Sequence, residues 1–589
     1  MTATWLISEI DRRLKRKCSR DLPSCSLCIR LGKTCEYYAG DVGAENAPNT
    51  DLASRLHNLE QLLQGKASQN LDLESMRSGS KNTCEPIVNT DFPPAFFLDP
   101  DHYSRFQEYE LASETLPWVE KAQELVKNDW REICERFLST IYTWLPMISK
   151  KRLYSELTSS QPGSKPGNAL FLLCMKLCTS NQSESADDPS YADNELYNAA
   201  KQCCFYAESG GYVSLRLVQS LVLLAVYEMG HAIYPAAYLT VGRAARLATV
   251  IGLHNMKLAK QLFVVADMWS LREEQQRTWW AIFILDKVVN LGSPGLPLVT
   301  PDPCADHLLP VNERDWNEGV IGINEPVLAQ SFHAADSIGK FARTCQAAHM
   351  LGKIITHVNR WKTAVMDVTE VLLESFQLHK ALAALDASLN PSESLQESYP
   401  SPDSSVPEDL NYVALSICCS ARYLLYSQYA CNESNRSAGS ERIALETEAQ
   451  QLSIQGMEHI ASVAVPRIAR YMEQVVASPA VRPSVSFVPG HSMYYAGLEC
   501  YCFYREFDNQ LMLSGMRQII EGFKALRTEW RVGAEYLVLL DKEHVFELLE
   551  RLDRDALESR FGIVWLLQRE RSKGVAAWVD SDVTRGLFV

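Results

Sequence analysis

The stretch LVQSLVLLAVYEM, residues 217–229, is apolar almost all the way round a helical wheel. Such a helix has no face to offer to water and must be enclosed by other elements on every side. Its neighbours supply what is needed. AAYLTVGRAARLATVIGLH (236–254) carries small residues that allow close helix packing, and Gly252 is placed to end it. EEQQRTWWAIFILDKVV (273–289) reads as another long helix, closed by Gly292, Pro294, Gly295 and Pro297. Helical patterning runs from about residue 115 to 380 and resumes at 410–435, 442–476 and 491–570, with few strand signatures and no internal repeat. The expected fold class is all-α, with a large helical bundle as its body.

Nothing in the 589 residues approaches the roughly 18 consecutive apolar residues of a membrane span, so no membrane partner is expected. The opening MTATWLISEIDRR has no basic segment followed by a long apolar one, so no secretory signal is read there. Seventeen cysteines in such a chain point to a reducing compartment, where clustered cysteines bind metal more often than they form disulfides.

A net charge of −15 speaks at first against a nucleic-acid partner, but the distribution reverses that reading. Residues 1–40 hold eight Lys or Arg (positions 12, 13, 15, 16, 17, 20, 30 and 33) against four acids (positions 9, 11, 21 and 36), a net of +4. The other 549 residues therefore carry −19. A small basic head on an acidic body suits a DNA-binding module tethered to a regulatory domain. Within that head, Cys18, Cys25, Cys28 and Cys35 follow the spacing C-x6-C-x2-C-x6-C. Four thiolates close a tetrahedral structural site for zinc, and Pro23 favours the loop that brings the first two together. Against the first cysteine stands Arg12-Arg13-Leu14-Lys15-Arg16-Lys17. On a short helix, Arg12, Arg13, Lys15, Arg16 and Lys17 can reach phosphates and the guanine edge in the major groove of double-stranded DNA. The same run can serve nuclear import, which does not exclude the DNA role. Further on, Leu52, Leu56, Leu59 and Leu63 alternate spacings of four and three, an a/d seam of two heptads in residues 51–64 that would support dimerisation or a surface packing helix.

RRLKRKCSRDLPSCSLCIRLGKTCEY (12–37) resembles the second two-thirds of a fungal binuclear zinc cluster, whose pattern is C-x2-C-R-x-[RK]-K-x-K-C-x(5–12)-C-x2-C-x(6–9)-C. In that family six cysteines hold two zinc ions, two of the six bridging both metals, and a short helix between the second and third cysteines reads a CGG-like triplet. The resemblance implies that Lys15, with Arg12 and Lys17 beside it, contacts DNA, and that the cofactor is zinc. Leu14 stands where the family is often basic. The departure lies at the first two cysteine positions, where this chain has Ser8 and Asp11. Three accounts fit: MTATWLISEI stands in place of a segment encoding the C-x2-C pair, which the abrupt onset of the match at Arg12 favours; the four remaining cysteines bind one zinc, with Asp11 as an optional weaker ligand; or the module is vestigial.

The body resembles the fungal-specific transcription factor domain of the same family, over roughly residues 120–360. The resemblance is carried by 217–230, 236–254 and 273–310, where Glu274, Arg277, Trp279, Trp280, Asp286, Gly295, Pro297 and Leu309-Pro310 stand in the family's places. Physically, Trp279 and Trp280 read as core anchors, Arg277 and Asp286 as residues that pair or cap within the bundle, His254 as a packed or surface histidine, and Cys203-Cys204 and Cys418-Cys419 as buried thiols. The expected organisation is a partial zinc cluster at 1–38, a linker with a short coiled coil at 39–95, the regulatory domain at 96–388, a Ser/Pro/acidic loop at 389–409 and further regulatory helices at 410–589. A cavity for a small-molecule effector between helices fits such a bundle. The implied partners are DNA, a second copy or a relative in a homodimer or heterodimer, and the transcription machinery, in the nucleus. A regulator without DNA contact, acting through dimerisation or co-factor binding, is the alternative. An enzyme is not expected. The sequence has no G-x-S-x-G, P-loop or H-E-x-x-H, and Asp187-Asp188 with Asp193 lies too far from a prenyl-diphosphate metal motif in spacing and context.

Overall fold

The computed structural model describes residues 92, 95–99, 116–127, 129–159, 166–180, 194–255, 268–292, 295–304, 307–327, 338–363, 367–389, 410–430, 444–477 and 485–554. The chain divides into two units, Met1–Thr90 and Asp91–Val589, and every described residue belongs to the second.

The first half of this unit runs through α1 (Pro117–Val126), α2 (Trp130–Ser139), α3 (Lys150–Ser159), α4 (Pro166–Thr179), α5 (Glu195–Ser209), α6 (Leu215–Gly230), α7 (Ala236–Ile251) and α8 (Trp269–Val289). The starts and stops follow local chemistry. Pro117 opens α1, where its missing N–H costs nothing. The Asn194 side chain accepts the Tyr197 N–H at 3.1 Å to cap α5, and Ser214 does the same for Leu217 at 3.1 Å to cap α6. Gly252 ends α7 in the left-handed region, at φ 93°, so this helix stops at Ile251 rather than running to 254. At the other end of the pair, α8 begins at Trp269, four residues before the apolar pattern suggested.

As its composition requires, α6 is enclosed: every residue from Arg216 to Gly230 is buried. It packs against α4, α5, α7 and α8. In the second half a short α9 (Glu313–Glu318) is followed by α10 (Lys340–Thr363), α11 (Val368–Leu389), α12 (Tyr412–Tyr429), α13 (Ala444–His459), a π turn at Ile460–Ala464, α14 (Val465–Ala477), α15 (Pro489–Phe507), α16 (Gln510–Arg527), α17 (Arg531–Lys542) and a last helical segment at 545–554. Here α12 plays the part of α6: Val413 to Tyr423 are all buried, and the helix packs on α10, α11, α13 and α15. Among the described residues the only β pairing is the bridge of Leu308 with Pro326, so the all-α expectation holds. None of the described helices is long and apolar enough to cross a membrane.

The two halves meet at Trp530. Its indole lies where a side chain on Gly230 would have to be: a Cβ there would come 2.0 Å from the ring. The Trp530 Nε1–H donates to the Val485 carbonyl at 2.6 Å, and the ring contacts His231 and Phe487 at centroid distances of 5.4 and 5.7 Å. Phe487 in turn meets Trp144 edge to face at 5.8 Å. This aromatic chain joins the end of α6 to the start of α17, an element pair far apart in sequence.

Candidate functional site

The residues expected to do the DNA-facing work lie outside the described residues. They are the ligand candidates Cys18, Cys25, Cys28 and Cys35, the basic residues Arg12, Arg13, Lys15, Arg16 and Lys17, and the seam Leu52, Leu56, Leu59 and Leu63. What the structure displays is the helical body, and its most unusual feature is charge inside an apolar core.

Arg216 sits on the otherwise apolar α6, so its guanidinium must be neutralised on the spot. It donates to Gln219 Oε1 at 2.7 Å, to Glu274 Oε1 at 3.0 Å and to Glu156 Oε2 at 2.9 Å. Gln219 extends the network through its amide to Glu274 at 3.1 Å and to the Thr278 hydroxyl at 3.1 Å. Arg152 closes it on Glu156 at 2.9 Å. Burial opposes charge on Arg216, yet Glu274 and Glu156 outweigh it and raise its proton affinity above the ordinary value. Burial likewise pushes the Glu156 carboxyl up, but the Arg216 and Arg152 guanidinium groups bring it below the usual carboxylate range. One turn on, Arg277 is wholly buried. Its Nε–H donates to Glu273 Oε1 at 2.8 Å, and its two Nη groups donate to the carbonyls of Pro146 at 3.1 Å and Val311 at 2.5 Å. Its guanidinium also lies over the Trp316 ring, 4.7 Å from the centroid.

Asp286 does not meet Arg277. Its carboxylate ties down the irregular segment after α8, accepting from Val299 N–H at 3.2 Å, Thr300 N–H at 3.0 Å and the Thr300 hydroxyl at 2.6 Å. Lys287 completes this knot at 3.1 Å, its ammonium held below the ordinary value by burial against the pull of Asp286. Trp279 and Trp280 are buried as expected, and Trp280 Nε1–H ties the Leu308 carbonyl at 3.1 Å. Arg277, Trp280 and Asp286 are therefore braces: from α8 they reach back to residue 146 and forward to 299–311.

The remaining candidates read as packing. Cys203, Cys204, Cys418 and Cys419 are buried. Burial pushes the Cys203 thiol up to about 11, well away from nucleophilic thiolate behaviour. His254 is half-buried, and its backbone carbonyl lies 2.8 Å from His307 Nε2. No group of three or more metal-ligating side chains exists among the described residues. Sequence reading missed the Arg216–Gln219–Glu156 network. The signal was there: an arginine and a glutamine inside a helix with no solvent face demand partners, though the pattern does not say which.

Fold and core together define a helical body braced by buried charge. Two family models match, the fungal specific transcription factor domain over residues 134–347 and the fungal Zn(2)-Cys(6) binuclear cluster domain over residues 12–41. Among curated proteins, the transcription factor BOA15 of Botryotinia fuckeliana is 42% identical over 184 residues, 31% of this chain and 98% of that relative. The depudecin biosynthesis cluster-specific transcription activator DEP6 of Fusarium langsethiae is 21% identical over 349 residues, covering 48% of this chain and 56% of its own length. The azaphilone cluster-specific transcription factor azaR of Aspergillus niger is 21% identical over 360 residues, 59% of this chain and 70% of its own. No solved structure matches. The chain belongs to the fungal Zn(2)-Cys(6) transcription factor family, whose members are transcription factors and not enzymes.

The zinc-cluster match implies a zinc cofactor and, through it, DNA as partner and the nucleus as workplace. It begins at Arg12, the residue where the sequence pattern itself begins. The donor set in residues 12–41 is four thiolates, which suits one tetrahedral zinc; a two-zinc cluster needs six.

Proposed function

We propose that this chain is a zinc-dependent, sequence-specific regulator of RNA polymerase II genes that reads CGG-like triplets in double-stranded DNA. Cys18, Cys25, Cys28 and Cys35 hold the metal. Arg12, Arg13, Lys15, Arg16 and Lys17 make the phosphate and base contacts, with Lys15 aimed at guanine. Leu52, Leu56, Leu59 and Leu63 pair two chains, or one chain with a relative. The observation that carries this reading is a basic run set directly against the first of four correctly spaced cysteines, within the zinc-cluster match. The relatives named as regulators of biosynthetic clusters favour genes of that kind as targets.

The test is retardation of a duplex carrying CGG triplets by the full chain. If Lys15 takes guanine and the other four cations reach phosphate, log K should fall with log salt at a slope of about −3.6, and Lys15→Ala should cost about 1–3 kcal/mol on CGG and little on scrambled sequence. Equal affinity for CGG and scrambled duplexes would contradict sequence-specific reading. A second reading is favoured by Ser8 and Asp11 at the first two cysteine positions: the chain acts by pairing with an intact relative. On that reading no duplex is retarded by this chain alone, but one is retarded when a six-cysteine relative is added.

A further inference from the structure

A groove of about 560 Å³ follows the exposed side of α7 and is closed by Tyr212 and Val213, in the turn between α5 and α6, and by Val299. Its α7 wall runs from Tyr238 to Val250, about 18 Å or three helical turns. The walls are mainly apolar, and Leu239 stands in them 58% exposed. Open, apolar and one short helix long, the groove has the dimensions for a partner helix laid along α7.

The floor of the groove is a bare backbone at Gly242. Glycine in the middle of a helix weakens it relative to alanine, because the unfolded chain has more freedom to lose. The other helical glycines among the described residues are explained by packing: a Cβ on them would come within 2.0 Å (Gly230) to 3.4 Å (Gly497) of a neighbour. At Gly242 a Cβ would meet nothing within 4 Å. The close approach that a helical glycine permits is thus left unused within the described residues. Two cations edge the same groove. Arg243 and Arg246, one turn apart, are exposed, and neither makes an ion pair or side-chain hydrogen bond with a described residue. The lining holds one acid, Glu208, whose carboxyl burial raises above the usual range while Arg243 pulls the other way. The groove is therefore net positive, although residues 41–589 together carry −19.

We propose that this groove docks an acidic amphipathic helix of a partner protein, its apolar stripe on Leu239, Leu247 and Val250, its backbone close to Gly242 and its carboxylates on Arg243 and Arg246. Charge favours this occupant over the two that the chain itself could supply. A second copy laid on the same face would bring the same pair of arginines into a shared interface, like charge against like. Residues 256–267, which join α7 to α8, carry Lys257 and Lys260 against Asp267 and repeat the sign of the groove. An acidic helix supplies the opposite sign, and carboxylates on its flanks can meet both guanidinium groups while its leucine-like face fills the apolar wall. The site stands apart from DNA reading, so it holds or fails independently of the zinc head.

The probe is a fluorescein-labelled peptide of about 14 residues, long enough to span the groove as a helix, with leucines at i, i+3, i+4 and i+7 and glutamates on the flanks. Its counterpart has lysines in place of the glutamates. Each is titrated with the full chain and followed by fluorescence anisotropy. Saturable binding of the acidic peptide is expected, about tenfold tighter than its counterpart, from attraction in one case and repulsion in the other at two rim arginines. Arg243→Glu/Arg246→Glu changes two exposed positions and should reverse the preference. Gly242→Leu, which sets a side chain on the floor, should weaken the acidic peptide at least about tenfold, with a urea midpoint no lower than the parent's, since leucine favours the helix and its Cβ meets no neighbour. The absence of saturable binding overturns the proposal. So does equal affinity for the two peptides, a preference for the acidic peptide that survives the double arginine variant, or undiminished binding in Gly242→Leu. A parent dimer in analytical ultracentrifugation that Gly242→Leu alone dissociates would give the groove to a second copy, and overturn the proposal as well.

Discussion

Arg277 offers the sharpest test of the buried brace. Replacing it with Met keeps much of the side-chain volume and removes every polar contact. Glu273 then loses its cationic partner while still accepting from Val311 N–H at 3.0 Å and Asn324 Nδ2 at 3.1 Å. The carbonyls of Pro146 and Val311 lose the donors that reach them now. Breaking a buried pair from one side costs about 3–5 kcal/mol, because the other charge stays behind. Each stranded carbonyl adds a share of about 1–3 kcal/mol, and the terms overlap. A net loss of about 4–6 kcal/mol is expected, against a typical domain stability of about 5–15 kcal/mol. Urea unfolding of the full chain at neutral pH, followed by far-ultraviolet circular dichroism, should show the midpoint falling steeply. Arg277→Lys keeps the charge but cannot serve three directions at once, and should lose about 2 kcal/mol. The double variant Glu273→Gln/Arg277→Met should be milder than Arg277→Met, since no lone charge remains. An Arg277→Met chain within about 1 kcal/mol of the parent would refute the reasoning.

Two further outcomes follow from the junction and the histidines. Gly230→Ala forces a methyl into the Trp530 ring and should cost about 1–3 kcal/mol in the parent, but little in a Trp530→Ala background; equal costs in both would mean the close approach is not what constrains Gly230. Burial holds His231 down to about 3, and His349 and His491 each to about 4, with Arg531 and Lys353 adding repulsion at the first two. Unfolded histidines take a proton near 6.5, so below that pH the unfolded chain binds more protons and stability falls as pH drops from about 6.5 towards 4. At pH 5 each ring should contribute a loss of about 2 kcal/mol, read as a lower urea midpoint than at neutral pH, and a midpoint unchanged between the two would contradict neutral burial.

How far the sequence carries can be seen residue by residue. The enclosure of α6 was legible because apolarity on every face leaves no other outcome, and the end of α7 because Gly252 tolerates a left-handed turn that its neighbours resist. Helix boundaries slipped where tertiary contacts decide them: the stretch 491–570, one helical run by pattern, is broken within its described part into α15, α16, α17 and 545–554, at Asp508, Trp530 and His544. The polar braces were legible only as a demand. Arg216 needs partners, but Glu156 and Glu274 lie 60 and 58 residues away, and periodicity carries no information at that range. The proposed zinc ligands are a different case: they are read from spacing within 18 residues, with no need of the fold, and they lie outside the described residues.

The most direct test of the account is zinc content against DNA binding in the full chain and in its Ser8→Cys/Asp11→Cys variant. About one zinc per chain in the parent and two in the variant, with tighter CGG binding in the variant, is the predicted result. A parent chain that holds no zinc and a variant that gains none would contradict the claim that Cys18, Cys25, Cys28 and Cys35 form a metal-built reading head.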